Sequence, residues 1–176
     1  LTIEKTYAKG VSKGKVEPSA VAAAQARLRH SANLSDAVTG ADLVIEAVPE
    51  RIELKQALLT QIEAIVSEDA ILATNTSSLS ITAIASVVKR PERVVGMHFF
   101  NPVAASLLVE LVRGELTDDD VIGETQRISE LMGKTCIIVR DSPGFATSRL
   151  GICLGNEAMR MFQEGVASAR DIDRAM

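Results

Sequence analysis

A chain of 176 residues, 47% hydrophobic and 24% charged, has the balance of one folded domain, or of one domain and part of a second, with enough apolar material for a core. That balance excludes a disordered tail, a collagen-like fibre and a disulfide-stapled miniprotein, and a net charge of −4 with no tryptophan and one tyrosine argues against nucleic acid as a partner. No run approaches the roughly 18 consecutive apolar residues of a membrane span, and two cysteines, Cys136 and Cys153, are too few for a disulfide framework, so a cytoplasmic protein with no membrane partner is expected.

Residues 1–16 are lysine-rich and helical in tendency despite two glycines, and Pro18 opens a second helix over 19–29. The run ADLVIEAV (41–48), between Gly40 and Pro49, reads as a strand buried on both faces of a parallel sheet. Residues 50–67 return to helical period, with Leu54, Leu58, Ile62 and Ile65 on one face. Strands are expected at 70–74, 93–99, 107–112 and 135–139, with helices at 80–88 and 118–131. The second of these helices has an acidic first turn and ends at Gly133. DSPG (141–144) is a turn, and from Phe145 to about Glu164 the pattern is helical, with another helix starting at Ser168. Alternation of strand and helix implies an open, doubly wound α/β sheet over residues 1–142, and the helical tail marks a second, all-α domain beginning at 143. Both ends of the chain read as cut, since it starts on Leu1 and stops inside a helical pattern.

An open parallel sheet binds ligands beyond the carboxyl ends of its strands, which directs attention to residues 49–51, 75–78, 98–102 and 141–144. His98, one of two histidines, ends an apolar strand beside Phe99 and Phe100. It is either a core histidine satisfied by the backbone or a general acid–base. Glu110 stands inside LLVELV, where a carboxylate is out of place unless paired. If the two strands are neighbours, Glu110 can accept the second ring N–H, fix the tautomer and stabilise the imidazolium. The run Asn75-Thr76-Ser77-Ser78 offers a helix cap at Ser77, Ser78 or Ser80, which is compatible with ligand binding. Glu50 and Lys55 fit a solvated helix face. Thr6 and Lys13, seven apart, share a basic face that is either plain surface or a holder of phosphates. His30, Cys136 and Cys153 show no metal-ligand spacing, so no metal is expected. The chain contains no G-x-G-x-x-G, no P-loop and no G-x-S-x-G.

Taken together, VIEAVPE, NTSSL, GMHFFNPV, LVELV and DSPGF resemble the 3-hydroxyacyl-CoA dehydrogenases, with the bacterial 3-hydroxybutyryl-CoA enzymes nearest. The resemblance runs from about Ile3 to Met176. It rests on the combined spacing of Ser77, His98 and Glu110, which stand 21 and then 12 positions apart. It implies a Rossmann-like NAD-binding domain whose first strand pair, with its Gly-rich turn, lies ahead of Leu1, so that this sequence is an internal fragment and inactive alone. It further implies a helical C-terminal domain that forms a homodimer, and reversible NAD-dependent oxidation of a (3S)-3-hydroxyacyl-CoA in fatty acid metabolism.

Carried over by position, the resemblance makes His98 the catalytic base and Glu110 its partner. Ser77 would touch both substrate and cofactor, with Asn101, Glu50 and Lys55 as cofactor contacts and Thr6 and Lys13 on coenzyme A. The family's PGF-x-x-N-R reads PGFATSR here, placing Ser148 where an asparagine helps position the substrate carbonyl. A non-catalytic, crystallin-like relative and a hydroxy-acid dehydrogenase that does not use CoA esters are the alternative readings.

Overall fold

The computed structural model describes residues 2–176. Two helices, α1 (Thr2–Ser12) and α2 (Pro18–Arg27), precede the sheet as an arm. Neither hydrophobic cluster of the protein draws a residue from them. The first helix is shorter than the sequence suggests. Gly14 adopts φ +62°, and the turn closes by N–H donation from Gly14 to the Val11 carbonyl and from Lys15 to the Gly10 carbonyl, both at 2.9 Å. Lys13 therefore lies in that turn and does not share an α1 face with Thr6. A short helix not evident from periodicity, α3 (Leu34–Val38), is capped by Asn33, whose Oδ1 accepts from the Asp36 N–H at 3.2 Å.

Five strands form one sheet in sequential order: β1 (Leu43–Glu46), β2 (Ile71–Thr74), β3 (Val94–Phe99), β4 (Leu108–Arg113) and β5 (Thr135–Arg140). β1 to β3 are parallel, β4 runs antiparallel to β3, and β5 is parallel to β4. Two expectations change as a result. β1 is an edge strand among the described residues, with Ile45 38% exposed, and is not buried on both faces. β4 and β5 run opposite to β1–β3, so the sheet is not wholly parallel and Asp141 leaves β5 at the other end. The chain then turns back, with Ser80 donating to Asp141 at 2.7 Å and the Phe145 ring 5.9 Å from that of His98, so segment 141–144 still meets the loop after β2.

Strand alternation sorts the interior into two layers. Leu72, Val94 and Val112 face one side, under α4 (Ile52–Glu63) and α5 (Ile81–Ala85), together with Leu59, Ile62, Ile81, Ile84 and Phe145. Ile71, Ala73, Val95, Met97, Val109 and Leu111 face the other, under Val121 and Ile122 of α6 (Asp119–Leu131). Gly96 allows α5 to sit close on β3, since a Cβ there would lie 2.7 Å from both Ile81 Cδ1 and Val112 Cβ. The buried face of α4 is turned from the expected one: Lys55, Leu59 and Ile62 point inward, while Leu54 is exposed.

Beyond the sheet, α7 (Thr147–Gln163) and α8 (Ala169–Ala175) complete the fold as a helical segment. α7 buries no residue fully, and Leu150, Ile152, Leu154, Met159 and Phe162 are exposed along it. No helix of the described residues is long and apolar enough to cross a membrane. The architecture is a Rossmann-like α/β sheet followed by a helical C-terminal segment.

Candidate active site

His98 and Glu110 have the same strand parity as Val94 and Val112, so both project to the layer that contains Phe145. They are register partners across the antiparallel β3–β4 pair. His98 Nδ1 lies 2.6 Å from Glu110 Oε2, and both side chains are buried. The ring is flanked by Phe100, with centroids 4.4 Å apart, and by Phe145 at 5.9 Å. An ionised carboxylate only accepts, so the pairing holds the proton on Nδ1. Nε2 makes no hydrogen bond among the described residues, leaving its lone pair free to take a proton from a hydroxyl. The reading of His98 as a core histidine satisfied by the backbone is thereby set aside.

Glu110 is held by the chain that continues from the DSPG turn (141–144), one of the segments singled out from the sequence. After Asp141 the chain runs back across the sheet through Gly144 (φ +74°) and Phe145 (φ +50°), a left-handed pair anchored by the burial of Phe145. This delivers the start of α7 to the carboxylate. The N–H groups of Ala146 and Thr147 donate to Oε1 at 3.0 and 2.9 Å, and the Thr147 hydroxyl donates to Oε2 at 2.7 Å. Burial alone would raise the Glu110 carboxyl. The hydrogen bonds from the Thr147 hydroxyl, His98 and the two backbone amides reverse that and leave it below its ordinary value. Ser148, next on α7, is half-buried, and its hydroxyl makes no hydrogen bond among the described residues.

On the other side of His98, the loops after β1 and β2 form a shelf on a buried ion pair. Lys55 is fully buried and not on a solvated face; its ammonium lies 2.9 Å from Glu46 Oε1, 2.9 Å from the Asn75 carbonyl and 3.6 Å from Glu50 Oε2. Glu46 also accepts from the Thr74 hydroxyl and the Val48 N–H. Asn75 Oδ1 accepts from the Phe99 N–H at 3.1 Å, which ties the shelf to the residue after His98. Glu50, partly exposed, accepts from the Thr76 hydroxyl at 2.5 Å and the Ser77 N–H at 3.0 Å. Burial would raise its carboxyl, but the Thr76 hydroxyl, the Ser77 N–H, the Lys55 charge and the Ser78 N–H bring it below its usual value. The Ser77 hydroxyl and the Asn101 side chain are exposed and make no hydrogen bond among the described residues. Ser80, not Ser77 or Ser78, caps α5; its Oγ accepts from the Ala83 N–H and donates to Asp141 at 2.7 Å.

Ser77 lies in the loop after β2, Asn101 follows β3, and Ser148 is on the first turn of α7, next to the Thr147 that holds Glu110. Thr6 and Lys13 are exposed on the α1–α2 arm, outside both cores. Glu46 and Thr147 are not singled out from the sequence, and Asn75 is named there only within its polar run, without the Phe99 contact it makes.

Residues 1–142 match the family described as "3-hydroxyacyl-CoA dehydrogenase, NAD binding domain", and residues 144–176 match "3-hydroxyacyl-CoA dehydrogenase, C-terminal domain". The chain belongs to the 3-hydroxyacyl-CoA dehydrogenase family. It is 41% identical over 174 residues to the 3-hydroxybutyryl-CoA dehydrogenase of Clostridioides difficile, a match covering 99% of this chain and 62% of that protein. It is also 41% identical to a fatty acid oxidation complex subunit alpha of Pseudomonas aeruginosa, covering 98% of this chain and 24% of the relative. Its fold superposes on the crystal structure of (S)-3-hydroxybutyryl-CoA dehydrogenase from Ralstonia eutropha with a TM-score of 0.91 and 41% identity, over 97% of this chain and 60% of that one. This family member therefore spans about three fifths of the length of the dehydrogenases it resembles.

The uncommitted Ser77 hydroxyl, the uncommitted Asn101 amide and the Glu50 carboxylate braced by Thr76 and Ser77 are polar groups of the kind that can hold the NAD of the matched NAD-binding domain.

Proposed function

We propose that the protein containing this chain catalyses reversible NAD-dependent oxidation of a (3S)-3-hydroxyacyl-CoA to the 3-ketoacyl-CoA. The observation that carries the reading is the buried His98–Glu110 pair, whose Nε2 makes no hydrogen bond among the described residues. NAD, when bound, supplies the hydride acceptor. His98 Nε2 takes the proton of the substrate hydroxyl as the carbonyl forms, and Glu110 stabilises the resulting imidazolium; in reverse, the imidazolium returns the proton to the ketone oxygen. Ser77 and Ser148 hold the substrate oxygen in reach of Nε2. Glu50 and Asn101 contact the cofactor. Lys55 supports them from below, because its ammonium has no exposed surface and is engaged by Glu46 and the Asn75 carbonyl.

Thr6 and Lys13 face coenzyme A from the exposed arm. Residues 1–142 form the cofactor domain and residues 143–176 open the helical domain. The exposed apolar residues of α7 support burial against further helical chain and a second copy in a cytoplasmic homodimer.

The test is NADH formation by the full-length protein from (3S)-3-hydroxybutyryl-CoA, set against free 3-hydroxybutyrate. Turnover confined to the thioester supports the reading. Turnover of the free acid alone means a hydroxy-acid dehydrogenase, and no turnover with either means a binding or structural relative.

A further inference from the structure

We propose that the Thr147 hydroxyl sets the proton affinity of His98 by sharing Glu110 Oε2 with the imidazole. The inference rests on the dehydrogenase reading and adds to it a residue that acts on the base through its partner. Oε1 of Glu110 takes two backbone N–H groups, which any residues but proline at 146 and 147 would provide. Oε2 takes two side-chain donors, His98 Nδ1 at 2.6 Å and Thr147 Oγ1 at 2.7 Å. The hydroxyl is thus the one donor, apart from the histidine, that the choice of side chain decides.

Each donor on a carboxylate disperses its charge and lowers its basicity. With Thr147 in place, part of the charge on Oε2 is already engaged when His98 accepts a proton, so the imidazolium is stabilised less than a lone carboxylate would stabilise it. The base therefore gives up its proton more readily, which suits a reaction that must run in both directions. The geometry is fixed by the fold, because Thr147 is the first residue of α7 and the left-handed Gly144–Phe145 turn sets its position. The other charged groups on surrounding elements are Glu46, Glu50 and Lys55 on β1, the following loop and α4, and Asp141 and Arg149 on either side of the turn. None of them is altered by a change at 147.

The experiment follows the His98 ring by NMR against pH in the full-length protein without substrate or cofactor, assigned with His98→Gln, for Thr147→Val and Thr147→Ser. Valine keeps the shape and removes the donor; serine keeps the donor. The expected result is a midpoint raised by about half a pH unit to one pH unit in the valine variant, with serine staying close to threonine. The pH dependence of kcat/KM in the oxidation direction moves to higher pH by the same amount. A valine variant titrating where threonine does, or a serine variant shifting as far as valine, overturns the proposal. If the valine variant does not fold, Thr147→Ala replaces it with the same expected rise and the same overturning result. Because the titration needs no turnover, it reads out even if the dehydrogenase reading fails, and the two failures are told apart.

Discussion

His98 and Glu110 meet at 2.6 Å because β4 runs antiparallel to β3 and places them in register. Had β4 been parallel, the same two residues would not be cross-strand neighbours. The pair predicts a specific kinetic pattern in the full-length protein. His98→Gln should lower kcat by about 100- to 10,000-fold, the range for losing a general base. Glu110→Gln should lower kcat by about 10- to 100-fold, with KM changed much less, since the carboxylate acts mainly when charge develops on the ring. Steady-state kinetics with saturating cofactor checks this, and a KM effect with kcat intact would dismiss the pair as catalytic.

Much of this site was legible in the sequence because it broke the local pattern. Glu110 in an apolar run announced a partner, and the eight residues between β3 and β4 were themselves a signal. They are too few for the crossover that a parallel pair needs, so the antiparallel turn was readable but not read. Glu46 inside VIEAV and Lys55 inside a helical apolar face were two further misplaced charges. They point at each other in the structure, and treating Lys55 as a solvated residue hid that. Thr147 was not legible. Its contact depends on two successive left-handed residues, one of them the non-glycine Phe145, and no local preference announces that.

The Glu46–Lys55 pair predicts a large and asymmetric stability effect. Both side chains are essentially excluded from solvent. Removing one partner of such a pair leaves an uncompensated buried charge, at a cost of about 3–5 kcal/mol. Lys55→Met should therefore destabilise by about that amount in urea unfolding. Pairing it with Glu46→Gln should recover part of the loss. Equal instability of the single and double variants would mean that packing, not charge, holds this region.

The carboxyls of Glu110, Glu50 and Asp141 are all held below their ordinary values. For Asp141, burial would raise it, but donation from the Thr82 N–H and hydroxyl, the Ser80 hydroxyl and the Ile81 N–H lowers it. A carboxyl lowered in the folded state stabilises the fold fully at pH above its unfolded value of about 4, and that contribution disappears as pH falls through the lowered value. Thermal stability should accordingly be flat above about pH 5 and fall on acidification. Asp141→Asn should lower stability at neutral pH and make the acid decline shallower. A melting temperature that rose on acidification below pH 4 would contradict this.

Ser148 is where this chain departs from the asparagine its relatives are expected to carry, on the first turn of α7 beside the residue that holds Glu110. A serine hydroxyl reaches less far than a carboxamide, so on the proposed reading the substrate oxygen would either shift toward α7 or be held through a water. Ser148→Asn should restore a direct hydrogen bond that strengthens as charge develops on that oxygen. One such bond contributes about 1–2 kcal/mol, which corresponds to a rise of roughly 10-fold in kcat/KM for a 3-hydroxyacyl-CoA. The gain should fall on kcat more than on KM, because the bond tightens in the transition state. A fall in kcat/KM would instead show that the pocket is built around serine, with the space taken up by a substrate bulkier near C3, and a series of acyl chains branched there would then be the comparison to run.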